Sequence, residues 1–389
     1  MSALTKIAEG QTAITGIGQT AYTKESGRTV MSLCAEASMK AIEDAGLERG
    51  DIDGLISFTM DTNSDHDLQS AIGLPLVRWT AKAPFGGEGA YATFQLAAAA
   101  IESGQASNVL IFRAFNERSE ARFGQPNFNP KAMPRDYHRS LGLVTPGQVY
   151  AMWHKPFLDA RGMTSEDLGL LVVQMRAWAA NNPDAWFYGR PITLEDHQRS
   201  RWIVKPVLRL YDFCQETDGG VAFVVSRLDQ ARAQGQNSGR PVVRVLGAQQ
   251  AWPLGESMMY NYYKPNLTYA EDTEVVAKAL WEQTGLSPAE IDVSTIYDNF
   301  SPSIPISYEG YGLCKRGEVR DAIRAGELGP GGSTPVNTNG GLIGEAYLHG
   351  LNNAAECVRQ MRGTSANQIE DAKIALCAGR QCGMVLARE

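Results

Sequence analysis

No Cys-x-x-Cys pair, no His-x-x-x-His and no His-Glu-x-x-His occurs in this chain. Its six cysteines (Cys34, Cys214, Cys314, Cys357, Cys377 and Cys382) are scattered, and there are only five histidines. That excludes the ligand spacing of a structural zinc site and reads as a set of reduced thiols. No stretch approaches the roughly 20 apolar residues of a membrane span. The opening Met1-Ser2-Ala3-Leu4-Thr5-Lys6 holds no apolar core of a secretory signal. A basic excess is missing as well. The net charge of −7 and pI near 5.4 argue against the clustered positive surface that nucleic acid requires. A cytoplasmic protein is expected.

What is present is size and glycine. With 389 residues, 43% of them hydrophobic, the chain can build one large domain or two closely packed ones, and 39 glycines suit an α/β protein with many tight turns. An internal repeat is visible. Residues 29–59 run helix-like stretch, Gly46-Leu47, Ile52-Asp53, then the apolar Leu55-Ile56-Ser57-Phe58; residues 273–300 run helix-like stretch, Gly285-Leu286, Ile291-Asp292, then Ser294-Thr295-Ile296-Tyr297. Glycine after a helix and a strand after the turn, twice in equal register, predict a duplicated α/β unit. The periodicity also predicts a buried helix over 89–103 and strands over 109–112, 220–226, 242–246, 374–378 and 383–387. Between about 115 and 210 the alternation fails, and an Arg-, Asn-, Pro- and Trp-rich insertion is expected to cover one end of the core.

Near the C-terminus the chain reads Asn337-Thr338-Asn339-Gly340-Gly341-Leu342-Ile343-Gly344-Glu345-Ala346-Tyr347-Leu348-His349-Gly350. With Cys214-Gln215-Glu216-Thr217-Asp218-Gly219-Gly220, Tyr297-Asp298-Asn299-Phe300 and Cys377-Ala378-Gly379, this run resembles the thiolase superfamily, and within it the lipid-transfer, sterol-carrier-type proteins. The resemblance covers the whole chain. It implies an α/β thiolase fold, a duplicated five-layered α-β-α-β-α core with a loop-domain insertion. Residues 1–250 would form the N-terminal half, including the 115–210 insertion, and 251–389 the C-terminal half.

The resemblance breaks at the catalytic slots. The turn that carries the acyl-accepting Cys of thiolases reads here Gly86-Gly87-Glu88-Gly89, so Gly86 occupies the nucleophile's place and no acyl-enzyme can form. The slot of the family's His holds Tyr347, and the slot of its Asn holds Tyr297. Two phenols can share proton transfer, one taking a hydroxyl proton while the other protonates or holds a thioester enolate. That division fits a retro-aldol cleavage of a β-hydroxyacyl-CoA, with Tyr297 as base and Tyr347 as proton donor or the reverse. The lipid-transfer subgroup further implies steroid side-chain degradation, with a 17-hydroxy-C22-steroid-CoA split into a 17-ketosteroid and propionyl-CoA. It implies no cofactor beyond the coenzyme A of the substrate. The implied partner is a small OB-fold and zinc-ribbon subunit of the domain-of-unknown-function-35 (DUF35) type, on a homodimer core that would make a heterotetramer. A non-catalytic acyl-CoA or lipid carrier of the same fold is the alternative, and a divergent Claisen-type enzyme is a third reading that Gly86 disfavours.

Cys377, Asp298 and His349 are possible supporting residues. His349 lies two residues past Tyr347 on an expected helix start, where the two side chains would not share a face. Asp298 would orient a phenol or cap the helix expected near Ser301. Gly86, Asn339, Gly340 and Gly341 are expected to contact substrate or CoA, the glycines because backbone can approach the thioester closely there. The acidic group Asp61, Asp65, His66 and Asp67 reads as a solvated loop capping the following helix rather than as a metal site. Arg199, Arg201, Lys205 and Arg209 read as a solvated face or a CoA-phosphate contact, and Trp153, Trp178 and Trp186 as candidate pocket lining.

Overall fold

The computed structural model describes residues 10–84, 87–120, 122–125, 140–252 and 266–389, and for Glu88 the backbone alone. Its strands are β1 (Thr12–Gln19), β2 (Gly54–Phe58), β3 (Trp79–Ala83), β4 (Asn108–Asn116), β5 (Trp202–Val204), β6 (Leu208–Arg209), β7 (Asp218–Arg227), β8 (Val243–Gln250), β9 (Val293–Ile296), β10 (Ile374–Ala378) and β11 (Cys382–Arg388). Among the described residues, nine strands join in the order β3-β2-β4-β7-β1-β8-β11-β10-β9, and β5 and β6 form a separate ribbon.

The sheet folds over on itself at β1 and β8, which pair antiparallel over Thr12–Ile14 only. Helices Ala92–Glu102 and Leu351–Arg362 fill the space inside, in one apolar cluster with Ile56, Ile111 and Phe223 from one end of the sheet and Val293, Ala375 and Met384 from the other. Outside, helix Val30–Asp44 covers β2, β4 and β7, and helices Glu271–Thr284 and Ser303–Gly310 cover β9, β10 and β11. Five layers result, α-β-α-β-α: the inner helix Ala92–Glu102 is apolar nearly all round, while Leu351–Arg362 is buried with its Asn352, Asn353, Glu356 and Gln360 side chains hydrogen-bonded.

The repeat read from the sequence is repeated in atomic detail. Helix Val30–Asp44 and helix Glu271–Thr284 are each followed by a left-handed glycine (Gly46, φ 63°; Gly285, φ 72°), a 3₁₀ turn (Arg49–Asp51; Pro288–Glu290) and a strand. The aspartate before each strand does the same work. Asp53 accepts from the amides of Ser107 and Asn108 (2.8 and 3.0 Å), ahead of β4, the parallel neighbour of β2. Asp292 accepts from Lys373 and Ile374 (both 2.8 Å), ahead of β10, the parallel neighbour of β9.

The expected strands are all present: β10 has the bounds expected, β8 and β9 each begin or end one residue off, and the rest are the same or longer by a few residues. The helix expected over 89–103 begins at Ala92, because Gly87–Gly89 form a 3₁₀ turn first. The insertion is helical: Pro146–Ala160, Ser165–Asn181 and Leu194–Arg199, with the β5–β6 ribbon. Its Ala179 lies against Gly340 and Gly344, so the insertion buttresses the Asn/Gly-rich loop. No described helix is long and apolar enough to cross a membrane.

Candidate active site

Tyr297 follows directly on β9, its amide tied to the carbonyl of Ala378 (2.9 Å). Tyr347 stands in an irregular segment between the short helix Gly341–Gly344 and helix Leu351–Arg362, its amide donating to Thr217 Oγ1 (2.9 Å). The two phenolic oxygens are 2.9 Å apart, in hydrogen-bond contact, with the residues only 4% and 7% exposed. Burial pushes both phenols well above their ordinary pKa, so the resting pair is neutral. A neutral, hydrogen-bonded phenol pair can accept a proton at one end and release one at the other.

The former nucleophile turn closes on this pair. Gly86 lies outside the described residues, but its neighbour Gly87 (φ 60°) sits so near that a Cβ there would meet Tyr297 Oη at 2.7 Å. Further along the same ring a Cβ at Gly350 would meet Tyr297 Cδ2 at 3.0 Å. Three segments separated in sequence therefore converge on one ring.

The motif around Cys214 explains the convergence. Cys214 donates its amide to the carbonyl of Asn299 (3.0 Å), and Gln215 donates to the carbonyls of Leu342 and Ile343 (2.8 and 3.0 Å). With Thr217 holding Tyr347, this segment stitches the two phenol-bearing loops together. Asn337 clamps Ile296 from both sides, accepting from its amide (2.7 Å) and donating to its carbonyl (3.0 Å).

Asp298 does not touch a phenol and does not cap the helix after it. Its carboxyl accepts from the amides of Leu342 and Ile343 (2.9 and 3.2 Å), fixing the turn at Gly341 from a neighbouring loop. Burial raises its pKa to about 7. The space a side chain would need at Gly341 is occupied by Asp298, and at Gly340 by Ala179, so both positions require glycine for packing within the protein. Asn339 accepts from the Gly341 amide (3.0 Å) and donates to Glu345 (2.6 Å) and Asn353 (3.1 Å).

Tyr347 and His349 are not on a helix, contrary to the expectation from sequence. His349 has φ 52°, and this left-handed residue swings its ring to 4.9 Å from that of Tyr347, at 85°. It stacks on Phe123 (5.2 Å, 21°), and burial, then the nearby Arg113, holds it neutral. Cys377 lies in β10, fully buried, its thiol raised by burial and tied to Cys357 and Thr295. No hydrogen bond joins it to either phenol among the described residues.

The sequence reading missed several residues here. Phe115, Phe123 and Leu342 pack on the phenols and give the pair an apolar wall. Glu345 is fully buried and accepts from Asn182, Asn339 and Asn352 (3.2, 2.6 and 2.8 Å), with Arg359 3.9 Å away. Burial raises it to about 7. Its place two residues before Tyr347 makes it the anchor of the whole segment.

Residues 257–388 match the family described as Thiolase C-terminal domain-like. The chain is 45% identical, over 92% of its own length and 94% of the other, to the 17-hydroxy-3-oxo-4-pregnene-20-carboxyl-CoA lyase of Mycobacterium tuberculosis. It is 43% identical, over 93% of both, to the steroid side-chain-cleaving aldolase of Thermomonospora curvata. The chain belongs to the family of steroid side-chain-cleaving aldolases, of thiolase fold. The solved Ltp2-ChsH2(DUF35) aldolase superposes with a TM-score of 0.91 at 42% identity, covering 97% of this chain and 98% of that one. The loss of the nucleophile and the two phenols are thus read within an aldolase family rather than among working thiolases.

The remaining expectations sort by position. In this aldolase Asp61 is not solvated: its carboxylate is buried against Arg113 of β4 (3.0 Å). His66 and Asp67 are exposed, and the loop does cap the helix Asp65–Ile72, through Ser64, which the sequence reading does not name. No group of three potential metal ligands occurs among the described residues. Arg199, Arg201 and Lys205 are exposed, while Arg209 is held by Ser165 and Ser200 over the Trp202 ring. Trp178 donates to the Leu328 carbonyl (3.2 Å), Trp153 is buried beside Tyr150, and Trp186 donates its amide to the Glu345 carbonyl (2.9 Å).

The buried carboxyls set a pH dependence of stability. Asp298 and Glu345 bind a proton more tightly folded than unfolded, where ordinary carboxyl values near 4 apply. Their contribution is fully present below the unfolded values and is lost as pH rises to about 7. Thermal unfolding is expected to occur at higher temperature at pH 5.5 than at pH 8, by up to about 1.4 kcal/mol per pH unit and per group across the window. Asp298→Asn should flatten part of that slope.

Proposed function

We propose that the chain is a retro-aldolase of 17-hydroxy-3-oxo-4-pregnene-20-carboxyl-CoA, releasing a 17-ketosteroid and propionyl-CoA. The observation that carries the reading is the neutral Tyr297–Tyr347 pair at 2.9 Å, set against a glycine turn where a thiolase has its nucleophile. The β-hydroxyl proton passes to Tyr297 Oη, the proton of Tyr297 passes along the hydrogen bond to Tyr347 Oη, and the proton of Tyr347 goes to the α-carbon. The electrons of the Cα–Cβ bond move into the thioester enolate as the Cβ–O bond becomes a carbonyl. Both phenols end neutral, so no phenolate need exist at rest and no covalent intermediate forms. The apolar wall of Phe115, Phe123 and Leu342 suits a fused hydrocarbon ring.

In this reading the thioester end lies against the Gly86 turn and the loop Asn339-Gly340-Gly341, whose shape Asp298 fixes, with His349 beside Tyr347 and Cys377 beneath in β10. The duplicated halves are 1–250 and 251–389. A homodimer core carries one DUF35-type subunit per protomer, a heterotetramer in the cytoplasm; the likeness to the Ltp2-ChsH2(DUF35) aldolase supports that partner. Incubating the chain, co-expressed with such a subunit, with the steroid-CoA should yield propionyl-CoA and the 17-ketosteroid by mass spectrometry. A folded complex that binds the thioester and leaves it intact would instead identify a carrier.

A further inference from the structure

A buried cation lies one aromatic layer beneath the phenol pair. Arg113, on the inner face of β4, is 1% exposed, and its guanidinium lies over the rings of Phe58 (4.5 Å) and Phe115 (5.3 Å). Phe115, two residues on and so on the same face of the strand, packs in turn on Tyr347 (6.2 Å between centroids) and His349 (5.2 Å). The counter-charge is Asp61, its side chain 2% exposed, 3.0 Å from Arg113 Nη1 and accepting from the Phe58 amide (2.8 Å). Among the described residues, Arg113 Nε and Nη1 make no hydrogen bond. Burying an ion pair costs several kcal/mol per ion, and a pair with unsatisfied donors recovers little of it. Stability therefore gives no reason for a charge here.

We propose that Arg113, steadied by Asp61, is an electrostatic positioning residue for the phenol pair. Its desolvated positive charge favours the negative charge that builds on the phenols and the thioester enolate while the carbon–carbon bond breaks. In a dry setting such a fixed charge acts across an intervening ring without contact. The other groups facing this region do not replace it. His349 is kept neutral by burial and by Arg113 itself, and burial, then Glu216, pushes the Glu117 carboxyl well above the ordinary carboxylate range. Asp65 is engaged by Ser57 (2.5 Å), and Lys82, which acts on Asp61, is exposed on β3. Arg113 is thus the one fixed positive charge, among the described residues, buried behind the pair. The inference rests on the retro-aldol reading for its chemistry, but not for its first test.

Two variants shift the local field in opposite senses. Asp61→Asn leaves the cation uncompensated, and Arg113→Met with Asp61→Leu removes both charges while filling the space. Phenolate absorbance followed during alkaline titration of the whole chain should show the buried tyrosines ionising at lower pH in the first and at higher pH in the second. In the complex with its accessory subunit, the alkaline limb of the kcat profile should move with them. The double variant should lose roughly 10²-fold in kcat with KM unchanged, and Arg113→Lys should recover much of it. Shifts of the same sign in both variants, or none in proteins that melt as the parent does, would overturn the proposal. If Asp61→Asn fails to fold, the double variant against Arg113→Lys decides alone. The titration needs no substrate, so its failure is distinct from a wrong choice of steroid-CoA.

Discussion

Tyr297→Phe and Tyr347→Phe are each expected to lower kcat by roughly 10²–10⁴ while KM stays near that of the parent. The reason lies in the single hydrogen bond between the two oxygens: one missing hydroxyl interrupts the passage of the proton at either end. The double variant should be little worse than either single one, because residues that act as a unit are not additive. Each variant leaves the partner hydroxyl buried without its bond, which costs about 1–3 kcal/mol. Thermal melts and substrate binding should therefore show folded, binding-competent proteins. Steady-state kinetics with propionyl-CoA as the readout checks the first part. A single variant that keeps a tenth or more of the parent rate would remove the phenol pair from the mechanism.

The largest effect on stability is expected at Glu345. Glu345→Ala strands the amide donors of Asn182, Asn339 and Asn352, while Arg359, 3.9 Å from Glu345, keeps Glu356 at 3.4 Å. A buried donor left without its partner costs about 1–3 kcal/mol, and three are stranded here. Denaturant unfolding should show that loss, and activity should fall with it, since Tyr347 is two residues away. Glu345→Gln is the informative contrast. With a carboxyl held near pKa 7, about half of the molecules already carry a neutral side chain at neutral pH. Gln keeps the shape and one acceptor, and should cost well under half as much as Ala. Equal costs for the two substitutions would refute the hub role.

Much of this architecture was legible because its cause is local. The helix–glycine–turn–strand repeat needs only periodicity and a left-handed glycine, and both copies fold as read. Tyr297 and Tyr347 were legible for another reason, their places in two familiar runs. What stayed hidden depends on partners far along the chain. Glu345 sits inside a run singled out from sequence, yet its meaning comes from Asn182, 163 residues earlier, in the insertion. Arg113 directly follows the apolar run 109–112, but the strand continues to Asn116 and buries it among partners distant in sequence. Asp61 was misread for the same reason, as a loop carboxylate in water. His349 escaped because a single left-handed backbone angle decides which way its ring points, and a non-glycine residue gives no warning of that.

The twin clasps of Asp53 and Asp292 have an evolutionary consequence. Each fixes the starting point of a central strand by holding two amides at the edge of its own copy, and neither depends on what the loops at the opposite strand ends contain. An ancestral duplication locked in this way is a chassis whose frame can be inherited unchanged. Loops such as 297–300 and 345–350 are then free to exchange an imidazole for a phenol without the core having to be invented again.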